Sequence, residues 1–169
     1  MPNTYSLIAS STVGSGGAAS IDFNSIPQTY TDLIVMCSLR TSKSDALDTG
    51  LVKINGVSTN LSNISLIAAD STTISADYTT SRMINGVDAS TATTSTFSTH
   101  SIYFPNYTSA TYKSFSAEGA TENNGAGYTE RGIMTNLWSS TAAITSLTIY
   151  SSTNFVQYSS AYLYGIKKS

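Results

Sequence analysis

Apolar side chains along this chain recur at every second residue and almost nowhere at helical spacing. Tyr5, Leu7 and Ala9 alternate with polar positions, Ile21 and Phe23 do so next, and Leu33, Val35, Cys37 and Leu39 share one face of a longer segment. Val52 to Ile54, Phe97 to Phe104, Lys113 to Glu118, Ile133 to Trp138, Ile144 to Tyr150 and Ala161 to Ile166 continue the series. Side chains on a strand point alternately to two faces, so a period of two puts one apolar face on a core. Segments this short, parted by Gly, Asn, Ser and Thr clusters, predict an all-β fold: an antiparallel β-sandwich, jelly-roll-like, of roughly eight to ten strands. Asn-Gly pairs at 55–56, 85–86 and 124–125 fit tight turns, since both residues tolerate positive φ. INGV occurs at 54–57 and 84–87 with unlike flanks, which reads as reuse of a turn and not a repeat. One helical turn is expected near Ala76–Met83. EGATENNGAG (118–127), polar and Gly-rich, reads as a mobile loop.

The 169 residues suit a single domain spanning 1–169. Charged residues are only 11%, against about 25% in an average soluble protein, and Ser and Thr fill about a third of the chain. Such a composition could describe a disordered stalk, but 40% of residues are hydrophobic and spaced throughout, so the chain folds. A net charge of −2 with scattered Lys and Arg argues against a nucleic-acid partner. The longest clean apolar run, 33–37, is far short of the ~20 residues of a membrane-spanning helix. MPNTYSLIAS has no basic region before its apolar residues, so neither a signal peptide nor a membrane partner is expected.

Catalytic chemistry needs side chains gathered with matched pKa values. His100, the sole histidine, lies in FSTHSIYF and reads as a hydrogen-bonded strand residue. One His and one Cys make no zinc set, and Cys37 reads as a small buried hydrophobe. No serine sits in GxSxG, and GSGG (14–17) lacks the Lys-Ser/Thr of a phosphate loop. Asp45 and Asp48 could touch calcium but lack EF-hand spacing. Glu118, Glu122 and Glu130 bracket the polar loop and could imitate a glycosidase pair, though a solvated acidic loop fits them better. Asn60, Asn63 and Asn106 open N-x-S/T triplets that so Ser/Thr-rich a chain contains by chance. No catalytic, cofactor-binding or metal-ligating residue is assigned, and the expectation is a non-enzymatic protein.

Aromatic residues are more suggestive. Tyr103, Tyr107 and Tyr112 crowd IYFPNYTSATYK, as a candidate interface or as rings closing one end of the sandwich. Tyr162 and Tyr164 alternate with Ala161 and Leu163, so one pair faces outward from the last strand. The stretch IDFNSIPQTYTDL (21–33) reads as a structural corner. Pro27 pushes Ile26 toward an extended conformation and has no N–H to offer, so Ile26 can plug the end of the sandwich. Gln28, Thr29, Thr31 and Asp32 are suited to satisfying backbone groups there.

Three longer stretches carry a resemblance: YSLIASSTVGSGGAASIDFNSIPQTYTDLIV, YFPNYTSATYKS and LWSSTAAITSLTIYSSTNFVQYSSAYLYGIKKS. IPQTYTDL, WSSTAAIT and LYGIK are the most specific parts, and residues 56–96 the weakest. Together these resemble a group of small virion proteins of tailed phages, notably marine and cyanobacterial ones. The resemblance implies a jelly-roll-like sandwich on the outside of the particle, as a capsid decoration (cement) protein, a knob or a fibre head. It further implies trimers on three-fold or quasi-three-fold points, with the major capsid protein and other copies as partners. Entry into the first strand by Tyr5 and an end in the last strand leave no room for a fibre shaft, which favours decoration. Weak charge suits many-copy packing without mutual repulsion. The alternative is a receptor-binding fibre-head module gripping host carbohydrate through exposed tyrosines. A third reading, a cell-surface glycosidase, rests on the acidic loop alone.

Overall fold

The computed structural model describes residues 4–69, 73–79, 84–122 and 129–167. Among them run twelve strands: β1 (Tyr5–Thr12), β2 (Ala18–Phe23), β3 (Asp32–Leu39), β4 (Leu47–Ile54), β5 (Leu61–Ala69), β6 (Thr73–Thr79), β7 (Ile84–Asp88), β8 (Ser98–Phe104), β9 (Lys113–Thr121), β10 (Glu130–Trp138), β11 (Leu147–Phe155) and β12 (Ser160–Ile166). They form an eight-stranded sheet, β1-β12-β3-β8-β9-β10-β5-β6, and a four-stranded sheet, β2-β11-β4-β7. Every strand pair within them is antiparallel. All but three connections (β5–β6, β8–β9 and β9–β10) carry the chain from one sheet to the other. The fold is the antiparallel β-sandwich that the alternation predicts, with twelve strands in place of eight to ten.

The three additional strands, β5, β6 and β7, all lie between residues 61 and 88. The helical turn expected at 76–83 is corrected for 76–79, which belong to β6 and pair with β5 in a continuous register from Thr73↔Ala69 to Thr79↔Asn63. The remainder of that turn lies outside the described residues. Ladder hydrogen bonds to a neighbour decide this segment, where local helical preference is weak. Asn85-Gly86 is likewise no turn but the middle of β7. A Cβ at Gly86 would come within 2.6 Å of Glu130 Oε2, which instead accepts the Gly86 N–H at 3.2 Å. Asn55-Gly56 is the expected tight turn, with φ of 52° and 79° and reciprocal bonds between Ile54 and Val57. The third pair, 124–125, lies outside the described residues. So does most of the expected loop at 118–127, but its first residues, Glu118–Thr121, continue β9 and pair with β10.

The core lies between the sheets. Leu33, Val35, Leu39, Ile102 and Phe104 from the large sheet meet Ile21, Phe23, Val52, Ile54, Leu147 and Ile149 from the small one, all buried. Phe104 stacks on Phe115 with ring centroids 4.7 Å apart. Cys37 is buried among them, and desolvation pushes its thiol up to about 12, so it packs as a hydrophobe.

One end of the sandwich is knitted from the strings singled out above. Ile26 is buried there, and its N–H donates to Thr145 O at 2.9 Å. Gln28 Nε2 donates to Ile26 O and Ile144 O, both at 2.9 Å, and the Tyr107 hydroxyl donates to Pro27 O. Lys113 is buried, and its ammonium donates to Ser109 O (2.5 Å), Ala142 O (2.6 Å) and Thr111 O (2.8 Å) while lying over the Trp138 ring. Asn55 bridges to Ala143 O and to the Thr145 N–H. The Tyr30 ring lies flat against Gly165, with Lys167 Nζ 5.3 Å from its centroid on the same ring. IPQTY and LYGIK are thus two halves of one contact. A Cβ on residue 165 would sit 2.3 Å from Tyr30 Cγ. Gly165→Ala should therefore cost about 1–3 kcal/mol by overpacking and lower Tm by roughly 3–10 °C. In a Tyr30→Ala background the same change should cost little. A thermal double-mutant cycle reads this, and equal losses in both backgrounds would refute the contact as the cause.

Candidate interaction face

The outward side chains of the large sheet come from strands whose inner positions already fill the core. Reading along paired residues, one row crosses the sheet as Tyr162 (β12), Met36 (β3), Ser101 (β8), Glu118 (β9), Ile133 (β10) and Leu66 (β5). Eight large apolar side chains on this face are exposed: Tyr5, Leu7, Met36, Ile64, Leu66, Ile133, Leu137 and Tyr162. They fall into two groups, on β1, β12 and β3 and on β10 and β5, separated by the polar outward residues Thr99, Ser101, Ser116 and Glu118 of β8 and β9. Arg131 donates to Glu118 at 3.1 Å, and Asp32 accepts from the Tyr103 hydroxyl and the Asn106 N–H. A shallow depression of about 170 Å³ at the centre of the face is bordered by Met36, Thr99, Ser101, Glu118 and Arg131.

The small sheet presents the opposite chemistry. Asp22 there accepts from Ser20 and Thr148 at 2.6 Å each, and Lys53 lies 4.9 Å from the centroid of the Tyr150 ring. The large sheet thus carries the greater number of exposed large apolar side chains on its outer face.

The candidate acidic residues do not converge. Glu118 lies on the outer face, whereas Glu130 reaches between the sheets to Gly86, so no glycosidase-like pair forms from them. Glu122 is exposed just past β9. Asp45 is taken up by Lys43 (3.3 Å) and the Ala46 N–H. Burial alone would raise the Asp48 carboxyl, but Ser152, Thr49 and Thr153 donate to it and hold it below the usual carboxylate range. Among the described residues no three His, Cys, Asp or Glu side chains are grouped to hold a metal. Asn63 points into the sandwich, out of reach of glycosylation.

The three tyrosines separate. Tyr107 is completely buried and tied to Pro27, so as an interface residue it is corrected to a core residue: its ring closes the end of the sandwich. Tyr103 lies on the large-sheet face, half-buried and bonded to Asp32 at 2.9 Å. Tyr112 is exposed in the loop before β9. On β12, Ala161 and Leu163 face in, and Tyr162 and Tyr164 lie on the outer face. Sequence reasoning assigned no strand to β5 and no face to Ile133 and Leu137 on β10, and so missed the outward apolar set Ile64, Leu66, Ile133 and Leu137. It also missed buried Arg40, whose guanidinium holds the loop after β7 through Ala92 O, Thr93 O and Thr96 O. No protein-family model, curated protein or solved structure matches this chain.

His100 is buried on β8. Ser98 Oγ donates its one proton to Leu39 O, so at the 2.8 Å Ser98–His100 contact the imidazole Nε2–H is the donor. Burial pushes this His down to about 3, so the folded state holds it neutral. The unfolded chain takes up that proton near pH 6.5. Stability is therefore full above that value and falls as pH drops through the window toward 3. Asp88, whose carboxyl burial raises, works the other way at lower pH. Between pH 7.5 and 5 the loss should be about 2 kcal/mol, read by urea unfolding. His100→Gln keeps the donor to Ser98 and should flatten the slope; an unchanged slope would exclude His100 as its source.

Proposed function

We propose that this chain is a non-enzymatic virion structural protein, a capsid decoration protein that binds the outside of a phage head and stabilises the shell. The observation that carries the reading is the set of exposed large apolar side chains on the outer face of the eight-stranded sheet, where Glu118 and Arg131 pair with each other. The resemblance of IPQTYTDL, WSSTAAIT and LYGIK to small virion proteins of tailed phages supports it. Those strings meet at the knitted end of the sandwich, in keeping with a family defined by structure and not by a catalytic set. The mechanism is stabilisation by linkage. A protein that binds only the assembled shell, through the major capsid protein and further copies of itself, lowers the free energy of that state. Bridging several subunits makes later contacts effectively intramolecular and strengthens the whole.

Electron microscopy and quantitative mass spectrometry of particles carrying this protein should find hundreds of copies at symmetric positions on the head. A handful at the tail would point to a fibre head instead, and absence from the particle would end the reading. Because the attachment surface is apolar and hydrogen-bonding, washing at about 1 M salt, where the Debye length is ~3 Å, should leave the protein bound. Stripping under that wash would assign the attachment to exposed ion pairs.

A further inference from the structure

The end of the sandwich opposite the knitted one holds a cleft built from three chain segments. Ser15, Gly16 and Gly17 of the β1–β2 turn, Ser42 after β3, and Asn154 and Gln157 near the β11–β12 turn border about 350 Å³. Backbone contacts fix these segments to one another. The Ser42 N–H donates to Asn154 O at 2.9 Å, the Tyr158 N–H to Val13 O at 3.0 Å and the Val13 N–H to Ser159 O at 2.8 Å. A Cβ on Gly17 would sit 3.0 Å from Phe155 O. The cleft is formed before anything enters it, which lowers the cost of binding. None of its lining side chains is charged. At the knitted end the Gln28 and Asn55 amides are committed to loop backbone. Here, among the described residues, the side chains of Ser15, Ser42, Asn154 and Gln157 make no hydrogen bond to the chain.

Two residues at this cleft run against what the fold asks of them, in opposite directions. Gly16 lines it without a left-handed φ, and a Cβ there would meet nothing within 4 Å. The turn does not need glycine at that position. Tyr158, which follows Gln157, does the reverse. The Ser159 N–H closes a turn onto Val156 O at 3.1 Å, and Tyr158 takes its third position with φ of 74°, where a type II turn favours glycine. Among the described residues the other non-glycine positions of positive φ hold only Asn or Ser, so the bulky ring is the outlier. Packing does not hold it there, since Tyr158 is 68% exposed, more than any other large apolar residue described. Local choices that cost stability with no gain inside the fold point to a functional site.

We propose that this cleft binds a neutral saccharide. Each sugar hydroxyl both donates and accepts, and the amides of Asn154 and Gln157 and the hydroxyls of Ser15 and Ser42 offer both roles without charge. Gly16 keeps the rim low, so the backbone of the turn can approach the ligand closely. Tyr158 supplies an aromatic face for the C–H side of a sugar ring and a hydroxyl at its tip. An anion would find no lysine or arginine in the lining, and neighbouring Lys43 is held by Leu47 O and Asp45. The volume lies at the lower end of small-molecule sites, ~300–1,000 Å³, which suits a short saccharide. The cleft lies apart from the outer face of the large sheet, so saccharide binding here is independent of capsid attachment.

The full chain, isotope-labelled, should be titrated with glucose, galactose, mannose, N-acetylglucosamine, maltose and lactose while its amide chemical shifts are followed. At least one sugar should move the Gly16, Gly17, Ser42 and Gln157 amides and saturate with a dissociation constant of ~0.1–10 mM. Asn154→Ala and Tyr158→Gly should each raise that constant about 10-fold, and Gly16→Gln should abolish the shifts by filling the cleft. Tyr158→Gly should keep or raise Tm and Gly16→Gln should leave it unchanged, which separates loss of binding from loss of fold. No saturable shift with any of these sugars overturns the proposal, as do shifts indifferent to all three variants. A response of the same amides to inorganic phosphate and to no sugar would make the cleft an anion site instead. A lower Tm in Tyr158→Gly would show that packing holds the ring and would remove Tyr158 from the site.

Discussion

Strands in a sheet lie about 4.8 Å apart, so an eight-stranded sheet is roughly twice as wide as a four-stranded one. That mismatch organises the molecule. The small sheet can bury only part of the large one, and the inner face changes character accordingly. Around β3 and β8 it carries Leu33, Val35, Leu39, Ile102 and Phe104, all buried opposite the small sheet. On β10 and β5 the inner positions mix Met134, Trp138, Leu61 and Ile67 with Asn136, Asn63 and Ser65, while Ile64, Leu66, Ile133 and Leu137 point outward. In these two strands much of the apolar area has therefore moved to the outside. Since exposing it to water is unfavourable in proportion to area, this outer face is the one whose burial would gain most.

The opposite problem arises where many loops gather at one end and leave backbone groups that no ladder satisfies. Side chains answer it, each addressed to carbonyls of a different loop. Gln28 reaches the 139–146 loop, Tyr107 reaches Pro27, and the Lys113 ammonium gathers carbonyls from both its own loop and the 139–146 loop. A buried lysine is costly unless its donors are met, and here three carbonyls lie within 2.8 Å. The strongest sequence strings of the chain are accordingly those least free to vary for reasons of packing. They identify a fold more readily than an activity.

Legibility in the sequence follows the same division. Nine strands could be read because apolar and polar residues alternate along them, although in β1 and β10 the apolar Tyr5, Leu7, Ile133 and Leu137 face outward and not into the core. β5 could not, since Leu61-Ser62-Asn63-Ile64-Ser65-Leu66 alternates with the wrong face apolar and blurs the period. β7 was hidden by Asn85-Gly86, whose turn chemistry is overridden by the close approach of Glu130 to Gly86. The corner at Ile26–Gln28 was legible from the conformational limits of Pro27, which are local. The tyrosines were not sorted, because Tyr107 and Tyr112 differ in burial through contacts with residues some eighty positions away, as the bond from Tyr107 to Pro27 shows.

A molecule with one polar and one apolar outer face has a built-in direction. The small sheet, with Asp22 and Lys53 among hydroxyls, gains nothing by leaving water. The exposed apolar side chains of the large sheet would gain by leaving it, and there Glu118 and Arg131 pair with each other. Low overall charge fits this arrangement: long-range fields would steer such a protein weakly, and short-range shape and apolar contact would hold it. In the proposed role, attachment would depend on concentration and on the number of contacts made at once. A surface of this kind is in keeping with the proposed many-copy role more than with a search for a single charged target.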